Sequence, residues 1–202
     1  MFGEHLRSSR RNLGEWSANG PGWPGRGETM LVAEANEVGA EVASPLLAVK
    51  LEPPHPAPDL LARPELVERL AEGAPQVNLI SAPAGWGKTS LLAAWLGSRR
   101  DGQHVAFLRL EGGDDVGSLF WTYVIAALRK VVPGLATGAD AILRSPEVDP
   151  MRQVVPSLLN ELMDVEEDLL LVLDDYHVIS VADIHDSMAY FIDHLPPTVC
   201  LV

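Results

Sequence analysis

The chain has 202 residues, of which 47% are hydrophobic and 21% charged, a balance typical of one globular domain with tails and not of a fully disordered chain. Its 28 acidic and 15 basic residues give a formal net charge of -13, which would repel the phosphates of DNA and argues against a general DNA-binding domain. The single cysteine, Cys200, excludes an internal disulfide and a multi-cysteine metal site, which favours a reducing compartment. No apolar run reaches the roughly 18 to 20 residues of a membrane helix. The sequence therefore predicts a cytoplasmic protein that does not span a membrane.

The chain divides into three parts by composition. Residues 1–44 show no apolar period and are predicted to be a flexible N-terminal tail. Prolines crowd the next stretch, residues 45–63. Because proline fixes φ and lacks an amide proton, this stretch is predicted to be an extended segment leading into a folded core at residues 64–202.

Within the core, short apolar runs alternate with apolar residues at helix spacing. Helices are predicted at 64–72, 89–96, 116–131, around 158–163 and at 184–195. Strands are predicted at 77–81, 105–110, 169–173 and 198–202. Residues 133–150 show only weak helix signals. Near-continuous apolar strands that alternate with helices predict an α/β fold with a parallel sheet and helices on both faces.

A glycine-rich run between the first predicted strand and the second predicted helix carries the strongest chemical signal. It is a relaxed form of the P-loop pattern, with alanine in place of the first glycine. The strand before it and the helix after it are the context that the motif requires. The predicted nucleotide-binding residues are Ala82, Pro83, Ala84, Gly85, Trp86, Gly87, Lys88, Thr89 and Ser90.

The chemistry expected of this loop follows from its residue types. A turn of small residues lets successive backbone N–H groups point at phosphate oxygens, and the helix N-terminus adds partial positive charge. Gly85 and Gly87 permit backbone geometry that a side chain would obstruct. Lys88 can reach the β- and γ-phosphates, and the Thr89 hydroxyl can ligate Mg²⁺. The alternative is an ordinary glycine-rich turn from strand to helix.

A second candidate feature is the pair of carboxylates that follows the apolar run 169–173. A P-loop site needs an acidic residue at the carboxyl end of a neighbouring strand to hold Mg²⁺ directly or through water. Asp174 fits this role, and Asp175 is placed to orient or deprotonate an attacking water, so Asp175 and Lys88 are the predicted catalytic residues. The alternative is a strand that simply leaves the core through polar residues. With the loop, the pair predicts binding of ATP or GTP with Mg²⁺.

The runs 81–89 and 173–177, Ser-Ala-Pro-Ala-Gly-Trp-Gly-Lys-Thr and Leu-Asp-Asp-Tyr-His, resemble the nucleotide-binding domain of MalT-like, LuxR-type ATP-dependent transcriptional regulators, which are STAND-class P-loop NTPases. The resemblance spans roughly residues 46–202 and includes Phe120-Trp121 and His194-Leu195-Pro196. It implies a P-loop NTPase core, ATP as the nucleotide, and a switch with slow hydrolysis that self-associates when ATP is bound. It also implies that Arg63 lies near the nucleotide, although a solvent-exposed residue before a helix is the equal alternative. Tyr176 and His177 match the pattern, and we expect packing roles for both.

Such regulators continue through further sensor elements, helical repeats and a DNA-binding helix-turn-helix, which this sequence does not contain. The resemblance therefore implies an N-terminal portion whose NTPase core is truncated and whose sheet is incomplete at the C-terminus, with DNA contacted only through domains absent from this chain. Two other functions stay open. A small P-loop kinase would need lid arginines, for which Arg99, Arg100, Arg144 and Arg152 are scattered candidates. A non-catalytic oligomerisation remnant would associate through an exposed sheet edge.

Overall fold

The structure is a computed structural model that describes residues 46–56, 63–71, 76–99, 104–145 and 149–202. The predicted N-terminal tail at 1–44 and Arg100 lie outside the described residues. The described part of the core contains helices and three parallel strands that alternate along the chain. The helices are α1 (Pro64–Ala71), α2 (Lys88–Ser98), α3 (Gly117–Val131), α4 (Thr137–Leu143), α5 (Val155–Met163) and α6 (Ala182–Asp193). The strands are β1 (His104–Arg109), β2 (Leu169–Asp174) and β3 (Val199–Leu201).

The sheet has the order β1-β2-β3, and both neighbouring pairs are parallel. Residue 104 lies opposite residue 169, and Arg109 lies opposite Asp174, so β1 and β2 end at the same edge. The chain just before the glycine-rich loop lies beside β3, where Val77 forms an isolated parallel bridge with Leu201. The predicted α/β class and parallel pairing are confirmed.

Helices cover both faces of the sheet, as predicted. On one face, α3, α5 and α6 pack on β1 and β2 through a large apolar cluster that includes Leu108, Phe120, Trp121, Leu171 and Phe191. On the other face, α2 packs on the sheet through a smaller cluster of Leu92, Trp95, Phe107, Leu170 and Val172, and α1 packs against this cluster through Val67 and Leu70. Because side chains alternate between faces along each strand, both faces of β1 and β2 are buried, and their sequences are apolar almost throughout. Among the described helices none is long and apolar enough to cross a membrane.

The predicted strand at 77–81 is wrong beyond its first residue. Val77 makes the bridge, the amide of Asn78 donates to the carbonyl of Leu201 (2.8 Å), and the amide of Leu201 donates to the carbonyl of Gln76 (2.8 Å). Leu79 then turns outward and is 89% exposed. The apolar run is long enough for a strand, but only its first residue, Val77, pairs with β3, through Leu201.

The predicted extended segment at 45–63 is wrong at Ala48–Leu51, which forms one turn of 3-10 helix. The amide of Lys50 donates to the carbonyl of Leu47 (3.0 Å) and closes the turn. The amide of Leu47 donates to the hydroxyl of Tyr123 on α3 (3.3 Å). Tertiary contacts therefore fix a helical turn between prolines that favour an extended chain.

A buried ion pair anchors this turn to the chain that follows β1. Lys50 is 5% exposed and Asp114 is 2% exposed. The ammonium of Lys50 donates to both carboxylate oxygens of Asp114 (2.8 and 2.9 Å), lies 3.1 Å from a carboxylate oxygen of Glu111, and sits 4.9 Å from the centre of the Tyr123 ring. Burial alone would lower the pKa of Lys50, but the hydrogen bonds to Asp114 and Glu111 outweigh it, and the pKa is raised.

Candidate functional site

The glycine-rich loop leaves the sheet beside β3 and makes a tight turn before α2. The amide of Trp86 donates to the carbonyl of Pro83 (3.3 Å). Gly85 has φ 79° and Gly87 has φ 77°, both in the left-handed region. A Cβ at Gly85 would meet no atom within 4 Å, so backbone geometry and not space explains why glycine is suited to this position.

Lys88 opens α2 and folds back over the loop. Its ammonium donates to the carbonyls of Ala82 (2.9 Å) and Pro83 (3.4 Å). The first backbone N–H groups of a helix have no partner within the helix, and those of Lys88, Thr89 and Ser90 belong to this set. The side-chain ammonium and the helix amides thus give this end of α2 a positive character suited to an anion.

Asp174, the last residue of β2, lies beside the start of α2. The hydroxyl of Thr89 is 3.4 Å from a carboxylate oxygen of Asp174, and Asp174 is 7% exposed. The two candidate metal ligands, 85 positions apart in the sequence, are therefore brought together. A carboxylate and a hydroxyl are oxygen donors of the kind that Mg²⁺ takes alongside phosphate oxygens, so the side chains present fit a magnesium ion that also binds phosphates.

Asp175 is oriented differently from Asp174. Its backbone lies in the left-handed region (φ 62°) and its side chain is 37% exposed. The recorded contact of its carboxylate is with His177, whose Nδ1 lies 3.7 Å away. The structure therefore brings Asp174 into contact with the start of α2, whereas the carboxylate of Asp175 faces His177.

Tyr176, for which the sequence predicts a packing role, packs against aromatic side chains. Its ring lies edge-on to Phe120, with 6.3 Å between ring centres, and its hydroxyl lies 2.9 Å from Nδ1 of His185. Burial raises the pKa of Tyr176. His177 is largely exposed, and its role as a packing residue stays a prediction.

The predicted arginines are not gathered at this site within the described residues. Arg63 directly precedes α1, and its carbonyl accepts from the amides of Leu66 (3.1 Å) and Val67 (3.2 Å), while no side-chain contact between Arg63 and the loop is seen in this part of the chain. Arg99 follows the opposite end of α2 from Lys88.

The two remaining described candidates are engaged elsewhere. Arg144 pairs with Asp140 (3.1 Å) and Arg152 pairs with Asp149 (3.5 Å). The described arginine candidates therefore do not form a lid over the loop.

Sequence reasoning missed Arg109. Its Nε lies 3.6 Å from the same Asp174 oxygen that contacts Thr89. The signal was present, since Arg109 is a charged residue at the tip of an apolar strand in a parallel sheet, and strand tips of such sheets meet at one edge. What the sequence did not give was the register that sets Arg109 opposite Asp174.

Comparison with known proteins gives relatives over the core. No family model matches the chain. The chain is similar to curated proteins named HTH-type transcriptional regulator MalT. It is 31% identical over 159 residues to the protein of Klebsiella pneumoniae, 31% over 158 residues to that of Serratia proteamaculans, and 30% over 155 residues to that of Vibrio parahaemolyticus. The matches cover 78%, 78% and 76% of this chain, but the chain spans only 17% of the length of each relative.

Proposed function

We propose that this chain is the ATP- and Mg²⁺-binding switch portion of a MalT-like transcriptional regulator, with a P-loop NTPase core. The observation that carries the proposal is the approach of Thr89 to Asp174 at the start of α2 (3.4 Å). A hydroxyl at the end of a glycine-rich turn and a buried carboxylate at a strand tip are the two protein ligands that a P-loop site presents to magnesium. The similarity to regulators named MalT supports the biological context.

Each residue has a defined part in this proposal. The amides between Ala82 and Ser90 and the ammonium of Lys88 bind the phosphates. Thr89 and Asp174 hold the magnesium ion, which neutralises phosphate charge. Lys88 now donates to Ala82 and Pro83, and these neutral carbonyls are weaker partners than phosphate oxygens, so exchanging them for phosphate is favourable.

Hydrolysis is a smaller part of the proposal. Asp175 is the proposed group for orienting the attacking water, and turnover is expected to be slow because its side chain is directed to His177 and not to Thr89. The proposed main role of the chain is therefore that of a nucleotide-dependent switch, and NTP hydrolysis is a slower, secondary activity. The inducer and DNA contacts belong to parts of a longer regulator, and the cytoplasm is the proposed location.

The test is a titration of the full chain with a fluorescent ATP analogue in the presence of Mg²⁺. We expect saturable binding that unlabelled ATP displaces, and loss of at least about tenfold in affinity for Lys88→Ala, because a charge-assisted phosphate contact is removed. Lys130→Ala is the matched control, since Lys130 pairs with Glu52 at the surface of α3 (2.7 Å) and should bind as the wild type does. A folded wild-type chain that binds no nucleotide would contradict the proposal.

A further inference from the structure

Arg109 and Asp174 form a loose ion pair at the edge of the sheet where the proposed phosphate site lies. The two residues are register partners at the ends of β1 and β2. The Nε of Arg109 lies 3.6 Å from Asp174 Oδ2, and the Thr89 hydroxyl lies 3.4 Å from the same oxygen. Arg109 is therefore joined to the proposed magnesium ligands through one shared carboxylate oxygen.

This pair uses little of the binding capacity of Arg109. A guanidinium has five N–H donors, and a separation of 3.6 Å is longer than an N–H···O hydrogen bond. Arg129, by comparison, donates to Leu135 (2.9 Å), Asp140 (2.8 Å) and Ala136 (3.4 Å). Within the described residues, the recorded polar contact of the Arg109 side chain is the one with Asp174. Its donor fork is thus available to a further anion.

Exposure separates the two members of the pair. The side chain of Arg109 is 41% exposed, whereas that of Asp174 is 7% exposed. The carboxylate is held in place by the sheet and by α2, while the guanidinium lies at the open side of the edge. Arg109 can therefore turn away from Asp174 without uncovering the core.

The strand order determines on which side of Asp174 the side chain of Arg109 lies. The glycine-rich loop follows Val77, which lies beside β3, and β1 lies on the far side of β2. Arg109 and the loop therefore flank Asp174 from opposite sides. A polyphosphate that is bound at one end by the loop amides and extends past Asp174 would bring its terminal phosphate to Arg109.

Charge provides the reason for the exchange of partners. When Asp174 serves as a metal ligand, its negative charge is compensated by the ion, and its attraction for Arg109 falls. Arginine presents a planar fork that matches two oxygens of one phosphate, so the released guanidinium gains a stronger partner. The same logic does not apply to a diphosphate, which lacks the group that would reach across Asp174.

We propose that Arg109 is a second cationic phosphate-binding residue, and that it contacts the terminal phosphate of a nucleoside triphosphate and so makes the site prefer triphosphate over diphosphate. This inference rests on the proposed function. Lys88 and the loop amides hold both nucleotides, whereas Arg109 distinguishes them.

The experiment compares the affinities of the full chain for ATP and ADP with Mg²⁺ by displacement of the fluorescent analogue. For Arg109→Gln we expect affinity for ATP to fall about tenfold, in line with the loss of a charge-assisted hydrogen bond, and affinity for ADP to change less than about twofold. Arg109→Lys should recover part of the ATP affinity, since it restores the charge without the fork. Arg152→Gln is the matched control, because Arg152 is 84% exposed and pairs with Asp149 in the turn before α5.

Repeating the ATP titration with EDTA in place of Mg²⁺ measures how the contribution of Arg109 to ATP affinity depends on the metal ion. Without a metal ion, Asp174 keeps its full attraction for Arg109, so the difference between the wild type and Arg109→Gln should shrink. Equal losses for ATP and ADP, or no loss for either, would overturn the inference and leave Arg109 as a counter-charge for Asp174. Failure of the wild type to bind either nucleotide would instead overturn the proposed function, and the inference with it. Circular dichroism of each variant verifies that it is folded.

Discussion

At the scale of single residues, the least expected feature is the buried pair of Lys50 and Asp114. Two charges lie in the interior between an N-terminal turn and the chain after β1, and Glu111 and the Tyr123 ring add to the site. Burial of a charge destabilises the folded state unless a partner of opposite charge compensates it. Removing either member of the pair is therefore expected to lower the stability of the fold, because the other charge would stay buried without its partner. No sequence pattern connects positions 64 residues apart, and this contact could not be predicted.

We expect Lys50→Met to lower the free energy of unfolding by about 3 kcal/mol, because Asp114 is left as an unpaired charge in the core. Denaturant unfolding measures the change. The double variant Lys50→Met/Asp114→Leu should regain part of the loss, since it removes both charges but also the carboxylate that accepts from the Glu111 amide (2.8 Å). Lys130→Met, at an exposed ion pair with Glu52, should cost at most about 1 kcal/mol. Equal effects of the two lysine substitutions would contradict the argument.

The pKa of Lys50 gives this prediction a pH dependence. Its folded-state value is raised above the unfolded value of about 10.4, so the folded state binds the proton more tightly. The stabilisation is therefore fully present below about pH 10.4 and is lost as the pH rises through the folded-state pKa. The difference between the wild type and Lys50→Met should stay constant from pH 7 to 9 and shrink only above that window.

At the scale of elements, the sequence predicted best where an amphipathic period or a continuous apolar run was uninterrupted. The prediction of 116–131 for α3 and 169–173 for β2 differ from the observed Gly117–Val131 and Leu169–Asp174 by one residue at one end. Both elements lie at the centre of the core, where burial dictates the residue types. The glycine-rich turn lies directly before α2, as its sequence position predicts, and Gly85 and Gly87 adopt the left-handed φ that this turn requires locally.

The elements that the sequence predicted poorly depend on distant contacts. α4 lies in the region 133–150, which gave only weak helix signals. Its N-terminal amides at Thr137, Gly138 and Ala139 donate to the carboxylate of Glu161 on α5, at distances of 2.7, 3.1 and 3.1 Å. A cap supplied by another helix leaves no mark in the local sequence. The pairing of Arg109 with Asp174 was missed for the same reason.

We expect Glu161→Ala to fray the first turn of α4 and to destabilise the chain by about 1 kcal/mol, as loss of an N-terminal cap does. Hydrogen exchange of the amides of Thr137, Gly138 and Ala139 should accelerate, while exchange in β2 should follow global unfolding only. Glu166→Ala, at an exposed position after α5, serves as the control. Unchanged exchange at the three amides would show that α4 does not depend on this cap.

At the scale of the whole molecule, the net charge of -13 opposes close approach of two copies. Self-association of the chain therefore needs a driving force beyond the charge, and we propose that a bound nucleotide supplies it. We expect light scattering to give a higher molar mass with ATP and Mg²⁺ than without, and Lys88→Ala to abolish the increase. Added salt should favour association in both states by screening the repulsion. A mass that rises with salt but is indifferent to ATP would mean plain adhesion and would contradict nucleotide-driven assembly.

The attachment of the glycine-rich loop to the sheet has a mechanical consequence. The loop is suspended between two anchor points, the Val77–Leu201 bridge on one side and the Thr89–Asp174 contact on the other. The bridge consists of two backbone hydrogen bonds, each with a net value of about 1 kcal/mol. The span between the anchors can thus rearrange at a cost far below that of disturbing the ladder between β1 and β2, and any movement of it is transmitted to β3 on one side, through Leu201 and Cys200, and to Asp174 of β2 on the other.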